Sequence, residues 1–272
     1  MTIRTDFRAR YGEWALVTGA AQGIGAAYTE RLAELGMPVL LLDVQAELLE
    51  QEATRLRALH PGVDVRTIAV DLSDSAALHA ALDSVADLEI GLLVANAGIG
   101  AVGKWLEVPL ETKLRQVAVN CSSVVILADR LTPAMVERRR GGIVVMASGS
   151  AAAGSSYIVT YAATKAFDRV FAEGLWLELS PHGIDVTAVM PGAVDTPGFR
   201  DTIPVGHAPT RLMTPADPRS IVEAALEGLG SKINVMPGSG RLGGVMGLLT
   251  ALVPRKAMLK IGDRAVRQMY DR

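Results

Sequence analysis

The chain has 272 residues, of which half are apolar, and a formal net charge of −2 at pH 7. This length supports one substantial core or at most two small domains, and the small net charge gives no general attraction to nucleic acid or to an anionic membrane. The single cysteine, Cys121, excludes an internal disulfide and is typical of a reducing compartment. The N-terminal residues lack the apolar core of a secretory signal, and no run of about 18 apolar residues could span a membrane. We therefore expect a cytoplasmic protein.

Short apolar runs alternate with longer amphipathic segments along the chain. The predicted strands are 14–18, 38–43, 65–70, 92–95, 143–147, 186–190 and 232–236. The predicted helices are 23–35, 45–58, 74–86, 107–137, 159–180 and 215–228. Because the strands are apolar on both faces and alternate with helices, the pattern predicts a doubly wound (Rossmann) α/β fold. We expect a seven-stranded parallel sheet with helices on both faces.

We expect residues 1–236 to form one domain, since no linker, repeat or low-complexity segment interrupts the pattern. Its irregular segment 193–214 follows a strand end and is long for a connection, which is typical of a substrate loop. Residues 237–272 form an extension with an apolar stretch and several basic residues. We expect it to pack on the same domain or at a subunit interface, with contact to a membrane surface as a further alternative.

A glycine-rich segment over residues 18–25 lies between the first predicted strand and the first long helix. Glycines allow a tight turn and a close approach of the backbone to a pyrophosphate, and the helix N-terminus offers free N–H groups. The segment therefore predicts a dinucleotide site. The residues that we expect to contact the cofactor there are Gly19, Gln22, Gly23, Ile24 and Gly25.

Asp43 ends the second predicted strand, where a carboxylate can accept hydrogen bonds from the hydroxyls of the adenosine ribose. The same charge repels a 2′-phosphate, and neither Gln22 nor Val44 supplies a cation for one. We therefore expect NAD in preference to NADP. The ends of the next two strands offer supporting cofactor contacts, with backbone satisfaction as the alternative role. These residues are Asp71, Leu72, Asn96, Ala97 and Gly98.

Tyr161 and Lys165 are four residues apart in a predicted helix, so both side chains lie on one face. A neighbouring cation favours the phenolate form of a tyrosine. Such a pair can take a proton from an alcohol or give one to a ketone. The spacing is also compatible with an ordinary surface pair on a helix, and the other motifs decide between the two.

The glycine motif, Asn96-Ala97-Gly98, the Tyr161–Lys165 pair and Pro191-Gly192 together resemble the short-chain dehydrogenase/reductase family over about residues 13–235. The family usually has Asn-Asn-Ala-Gly after the fourth strand, and here Ala95 replaces the first Asn. Segments near 11–15, 66–71 and 88–91 look like the branch of 17β-hydroxysteroid dehydrogenases and very-long-chain 3-oxoacyl-CoA reductases. That branch often has a basic residue in place of Asp43 and a membrane anchor, neither of which is visible here.

The resemblance implies roles for further residues. Ser148 matches the serine that binds the substrate oxygen, and Asn120 matches the helix asparagine that holds a water joining Lys165 to solvent. Tyr161 then acts as acid or base, and Lys165 also reaches the nicotinamide ribose. Thr196 matches the threonine that holds the nicotinamide carboxamide. The resemblance adds Pro191, Gly192 and Val194 to the cofactor contacts and implies a homodimer or homotetramer.

The candidate substrate pocket is apolar, which favours a hydrophobic alcohol or ketone such as a steroid or an acyl chain. The candidate substrate contacts are Ser148, Ala153, Ile158, Phe199 and Met213. Ser150 is an alternative to Ser148, because residues i and i+2 of a strand share a face. The histidines show no metal-ligand spacing, so we expect no metal.

The sequence therefore predicts an NAD-dependent oxidoreductase that interconverts a secondary alcohol and a ketone. An epimerase or dehydratase of the same fold, without net change in NADH, is one alternative. A nucleotide-sensing protein without catalysis is the other, although a sensor has no need of a proton relay.

Overall fold

The computed structural model describes residues 7–202, 214–237 and 254–270. Within these ranges, seven strands form one parallel sheet of order β3-β2-β1-β4-β5-β6-β7, which confirms the predicted fold class. The strands are β1 (Trp14–Thr18), β2 (Val39–Asp43), β3 (Val65–Ala69), β4 (Ile90–Ala95), β5 (Gly141–Met146), β6 (Ile184–Val189) and β7 (Asn234–Val235).

Helices connect the strands and cover both faces of the sheet. They are α1 (Phe7–Tyr11), α2 (Gly23–Glu34), α3 (Ala46–Leu59), α4 (Ser75–Asp83), α5 (Leu110–Val117), α6 (Ser123–Arg138), α7 (Val159–Leu179), α8 (Pro197–Arg200), α9 (Pro218–Gly228) and α10 (Arg255–Tyr270). Short 3₁₀ turns span Gly149–Ala152 and Ser180–His182.

The strand order changes direction between β1 and β4. The chain builds outward from β1 through β2 to β3, then returns to place β4 on the other side of β1. The connections therefore leave a crevice at the carboxyl ends of these two strands, where doubly wound sheets bind their ligands.

Alternate strand residues supply two separate apolar layers. Val17 of β1 packs in the layer beneath α2, α3 and α9, whereas its neighbour Leu16 packs in the layer beneath α4, α6 and α7. Tyr28 of α2 and Leu127 of α6 are likewise fully buried on opposite faces. Each buried large apolar side chain contributes about 1.5–3 kcal/mol, so burial on both faces fixes the helices that carry the site.

The predicted helix 107–137 differs from the structure. There, α5 and α6 are separated by a π-helical turn over Ala118–Ser122. Such a turn adds one residue to a helical turn. It shifts the apolar pattern by a single position, which is too small a change for hydrophobic periodicity to separate two helices. The last strand is also shorter than the predicted 232–236, since the carbonyl of Lys232 accepts from the Thr187 hydroxyl.

Gly91 is packed directly against the end of α1. A Cβ at this position would overlap the backbone carbonyl oxygen of Tyr11, which is itself buried. The start of β4 and the C-terminal end of α1 can approach each other so closely because Gly91 has no side chain.

Replacing Gly91 by alanine is expected to lower the free energy of unfolding by roughly 1–3 kcal/mol, the usual cost of overpacking. Urea denaturation measures the change. Gly62→Ala is the matched control, because a Cβ there meets no atom within 4 Å, and its unfolding free energy should stay within about 0.5 kcal/mol of the parent. If Gly91→Ala were as stable as Gly62→Ala, the close packing of Gly91 against Tyr11 would be contradicted.

Candidate active site

A cleft of about 1610 Å³ lies along the carboxyl ends of the strands. Its size exceeds the roughly 300–1,000 Å³ of a typical small-molecule pocket, which leaves room for a dinucleotide and a second molecule. The predicted site residues that line it are Gly19, Gln22, Gly23, Ile24, Asp43, Asp71, Leu72, Asn96, Ala97, Gly98, Ser148, Ala153, Ile158, Tyr161, Lys165, Pro191, Gly192, Val194, Thr196 and Phe199.

Two predicted site residues of the described ranges do not line the cleft, and a third lies outside those ranges. Gly25 lies behind it, where a Cβ would overlap the carbonyl oxygen of Gly19. Gly25 allows α2 to pack closely against the glycine loop and does not form a wall of the cleft. Asn120 is fully buried beside the cleft, and Met213 lies outside the described residues.

The glycine loop has the backbone that a phosphate cradle needs. Gly19 and Gly23 adopt φ angles of 64° and 61°, a region that favours glycine. A Cβ on Gly23 would stand 3.1 Å from the Thr196 methyl group, so the loop also approaches the segment after β6 closely. Because α2 begins at Gly23, its first N–H groups face the same end of the cleft, which suits an anion such as a pyrophosphate.

The carboxylate of Asp43 is held from both sides by backbone N–H groups. Ala21 N donates to its Oδ2 at 3.0 Å, and Gln45 N donates to its Oδ1 at 3.0 Å. The first bond ties the end of β2 to the glycine loop. A carboxylate has about four acceptor positions, so it can still accept from two ribose hydroxyls.

Asp71 is also fixed in place. Its Oδ1 accepts from the backbone N–H and the hydroxyl of Ser73 at 2.9 and 2.7 Å, and its Oδ2 accepts from Arg115 Nη2 at 2.8 Å. The hydrogen bonds from Ser73 and the Arg115 charge lower the pKa of Asp71. This carboxylate therefore remains an acceptor at the wall of the cleft.

Thr18 joins β1 to the loop after β4. The backbone N–H groups of Asn96 and Ala97 both donate to Thr18 Oγ1 at 3.0 Å. In return, Asn96 Nδ2 donates to the carbonyl oxygen of Thr18 at 2.9 Å and to that of Gly19 at 3.3 Å. The side chain of Asn96 thus satisfies backbone groups, the structural alternative that the sequence left open.

Ser148 caps the 3₁₀ turn that follows β5. Its Oγ accepts from Ser150 N at 3.2 Å, and because it acts as the acceptor there, its own O–H remains available to donate. Ser150 also lines the cleft, and its Oγ is buried without a hydrogen-bond partner among the described residues. The structure therefore leaves both hydroxyls at the same wall.

Tyr161 and Lys165 lie side by side on α7 at the cleft. The Lys165 Nζ is 6.0 Å from the centre of the Tyr161 ring, and it donates to the carbonyl oxygen of Met146 at 2.7 Å. A Cβ on Gly98 would stand 3.1 Å from this Nζ, so glycine there leaves space for the ammonium. The pair can therefore handle a proton next to a bound ligand.

Asn120 connects the π-helical turn to its surroundings. Its Oδ1 accepts from Ile99 N, and its Nδ2 donates to the carbonyl oxygen of Ile99 and to Thr164 Oγ1, each at 2.9 Å. These bonds hold the loop after β4 against α7. The expected contact of Asn120 with a water beside Lys165 stays a prediction.

The other end of the cleft is apolar. Three predicted substrate contacts, Ala153, Ile158 and Phe199, line it together with Ile99 and Val102, and their contact with a substrate stays a prediction. Thr196 Oγ1 accepts from Phe199 N at 3.1 Å and caps α8, which orients that side of the pocket.

The C-terminal helix α10 contributes wall residues that the sequence did not single out. Val266 and Tyr270 line the cleft, and the Tyr270 ring packs against Tyr157 with centroids 6.3 Å apart. Tyr157 adopts a φ of 63°, unusual for a residue with a side chain. The four-residue spacing of Val266 and Tyr270 is the signal in the sequence that could have found this face.

Asp263 fastens α10 to the loop between Ser148 and Tyr161. Its Oδ1 accepts from Ser156 N at 3.0 Å, and its Oδ2 accepts from Arg267 Nε at 2.7 Å. Arg255 adds a bond to the carbonyl oxygen of Ala152 at 3.2 Å. Hydrogen bonds from Ser156 and Arg267 lower the pKa of Asp263 to about 2.

Metal-binding clusters and membrane-spanning helices are both absent from residues 7–202, 214–237 and 254–270. In those ranges, no group of three or more His, Cys, Asp or Glu side chains is arranged to hold a metal ion. Among the same residues, no helix is long and apolar enough to cross a membrane.

Comparison with known proteins gives consistent matches. The sequence model described as short chain dehydrogenase matches residues 13–204. The very-long-chain 3-oxoacyl-CoA reductase of Mus musculus is 36% identical over 191 residues, which cover 69% of this chain and 61% of that protein. The 7beta-hydroxysteroid dehydrogenase of Clostridium sardiniense is 28% identical over 86% of this chain and 88% of that protein. A solved short-chain dehydrogenase from Sphingobium yanoikuyae in complex with NADPH has a TM-score of 0.78 and 32% identity, with coverage of 88% and 94%.

Replacing Asp263 by alanine is expected to release α10 from the loop at 156 and open the cleft. Hydrogen–deuterium exchange should become faster in both segments, whereas Lys260→Ala, an exposed change on the same helix, should leave the exchange rate unchanged.

A carboxyl group with a lowered pKa stabilises the fold above its unfolded value near 4 and loses that effect as the pH falls towards 2. Protection factors of α10 in the parent should therefore hold from pH 8 to about 4 and decline below it. Equal protection in Asp263→Ala and the parent would show that Asp263 does not fasten α10 to the loop at Ser156.

Proposed function

The chain belongs to the short-chain dehydrogenase family, and on that premise we propose that it interconverts a hydrophobic secondary alcohol and its ketone with NAD. The observation that carries this proposal is the placement of Ser148, Tyr161 and Lys165 on one cleft with the glycine loop. The relatives named as a 3-oxoacyl-CoA reductase and a hydroxysteroid dehydrogenase support the reaction class.

Three residues have distinct roles in the proposed reaction. In oxidation, Tyr161 takes the proton of the substrate hydroxyl, and in reduction it returns a proton to the ketone oxygen. Ser148 donates its O–H to the same oxygen and fixes the reacting carbon. Lys165 holds positive charge beside the phenol. The bound nicotinamide supplies the hydride chemistry, and the protein supplies orientation and electrostatics.

The cofactor end of the cleft fits a dinucleotide. Gly19 and Gly23 have positive φ angles, and a Cβ on Gly25 would overlap the carbonyl oxygen of Gly19. The loop therefore needs glycine at these positions to keep its tight turn at the N-terminus of α2, where a pyrophosphate would bind. The carboxylate of Asp43 supports NAD over NADP, since its charge opposes a 2′-phosphate. The Sphingobium relative holds NADPH, which makes this preference a property to test in this chain.

The substrate end supports a bulky apolar molecule. Ile158, Phe199 and Val266 form walls without charge, so burying an ionic group among them would be costly. An acyl chain and a steroid both fit this description, and the names of the relatives cover both classes.

We also infer a homo-oligomer. Leu110 and Leu114 of α5 are 61% and 59% exposed, and Val170 and Leu177 of α7 are 55% and 67% exposed. Neighbouring helices with large exposed apolar side chains are typical of subunit interfaces. The expected dimer or tetramer remains a prediction.

Replacing Tyr161 by phenylalanine is expected to reduce turnover at least about 100-fold, because the acid–base group is lost. Absorbance at 340 nm with a panel of steroids, acyl thioesters and simple alcohols measures it. NADH binding, followed by fluorescence, should persist as the control. More than a tenth of the parent rate in the variant would remove Tyr161 from this role. Turnover of the panel compounds without any change at 340 nm would favour the epimerase or dehydratase alternative.

Asp43 is expected to set the cofactor preference, with kcat/KM higher for NADH than for NADPH in the parent. Asp43→Asn keeps the shape of the side chain but removes its charge. The ratio of kcat/KM for NADH to kcat/KM for NADPH should therefore fall roughly tenfold, equivalent to about 1.4 kcal/mol. Adding Val44→Arg to Asp43→Asn should reverse the preference, since Val44 is exposed beside the site, and Val44→Arg alone is the control. A parent KM at least tenfold lower for NADPH than for NADH would overturn the assignment.

A further inference from the structure

Lys165 carries its charge in a place that is almost sealed from water. The residue is 4% exposed, and Asp168, one helical turn later, is 1% exposed. Lys165 Nζ donates to Asp168 Oδ2 at 3.0 Å. A buried charge without a partner is strongly unfavourable, so the two side chains depend on each other.

The ammonium is fixed between two elements. Its acceptors among the described residues are Asp168 Oδ2 on α7 and the Met146 carbonyl oxygen at the end of β5. An ammonium has three N–H donors, which leaves the third for a ligand in the cleft. The Asp168 bond therefore determines both where Lys165 Nζ lies and which direction remains open.

Burial and the carboxylate act on Lys165 in opposite directions. Burial lowers the pKa of Lys165, but the Asp168 charge opposes it, and the pKa lies above its usual value. The other titratable groups near the ammonium are Tyr161 on the same helix and Cys121 on the π-helical turn. Burial, and then Asp168, raise the pKa of the Cys121 thiol to about 11, so this thiol is neutral at ordinary pH.

Asp168 is not explained by folding alone. Its Oδ1 is buried and has no hydrogen-bond partner among the described residues, and burial raises the pKa of its carboxyl group. A buried ion pair is a poor source of stability, because desolvation offsets the attraction. An apolar residue at this position would serve packing at least as well.

We propose that Asp168 is a positioning residue for the reaction, which keeps the Lys165 ammonium charged and fixed beside Tyr161 over the working pH range. This inference rests on the proposed oxidoreductase function for its consequence, but the state of Lys165 can be measured without turnover. Asp168 touches neither substrate nor cofactor in this role and acts through Lys165.

The direct test is the protonation of Lys165 in the protein without ligand. Competitive labelling with acetic anhydride, read by mass spectrometry, follows each lysine as a function of pH, and Lys165 borders the cleft through which the reagent enters. In Asp168→Asn, burial acts without its counter-charge, so Lys165 loses its proton at lower pH. At pH 9 it should label roughly tenfold faster than in the parent, which equals a change of one pKa unit. An unchanged labelling curve would overturn the proposal.

Kinetics test the consequence. The ratio of the Asp168→Asn rate to the parent rate should be constant near pH 7, fall as the pH rises above about 9, and approach about a tenth once Lys165 is largely deprotonated in both proteins. Asp168→Glu keeps the charge and should restore much of the parent profile. Glu52→Gln, which neutralises another buried carboxylate paired with Arg55, is the matched control and should change stability only. A rate loss that is equal at every pH would indicate a structural role and contradict the proposal.

The experiment also covers a variant that does not fold and a parent protein without the proposed activity. If Asp168→Asn does not fold by circular dichroism, Asp168→Ser offers a smaller neutral replacement for the same labelling curve. If the parent shows no NAD(H)-linked turnover with any compound of the panel, the proposed function fails, but the labelling curves still decide the role of Asp168.

Discussion

The hydroxyl of Thr18 holds together the two strands at which the sheet changes direction, and the geometry of the cleft depends on it. Through the backbone N–H groups of Asn96 and Ala97, it fixes the loop after β4 against the end of β1. Gly98 follows directly, and its missing side chain leaves space for the Lys165 ammonium. The glycine loop and the Tyr161–Lys165 pair therefore both contact this one junction, which fixes their relative positions.

Buried polar contacts organise the rest of the site in the same way. Asp43 orders the glycine loop through Ala21 N, and Asn120 holds the loop at Ile99 against α7. In each case a side chain satisfies backbone groups that have left regular structure, where an unpaired donor would be costly. The result is a site organised before a ligand arrives, which reduces the reorganisation that binding and reaction require.

The sequence predicted the sheet because its strands are continuous apolar runs. The helical repeat predicted only that Tyr161 and Lys165 share a face, and their expected role came from the other motifs and the family resemblance. The sequence did not predict the π-helical turn at 118–122, since one inserted residue shifts the apolar pattern by only a single position. Asp168 resembles an ordinary polar residue of a helix, and only tertiary packing buries it. Tyr270 meets Tyr157 across more than a hundred residues of chain, and no local pattern encodes such a contact.

The helix α10 lines the apolar end of the cleft from the far end of the chain, whereas Tyr161 and Lys165 lie on α7. It is attached to the loop ahead of α7 by a few contacts at Ala152, Ser156 and Tyr157. Part of the apolar wall is thus encoded far along the chain from Tyr161 and Lys165, whereas Ile158 lies only three residues before Tyr161. Under the proposed function, substitutions in α10 alter the shape of the pocket and leave Tyr161 and Lys165 untouched, so the substrate preference can change while the reaction is retained.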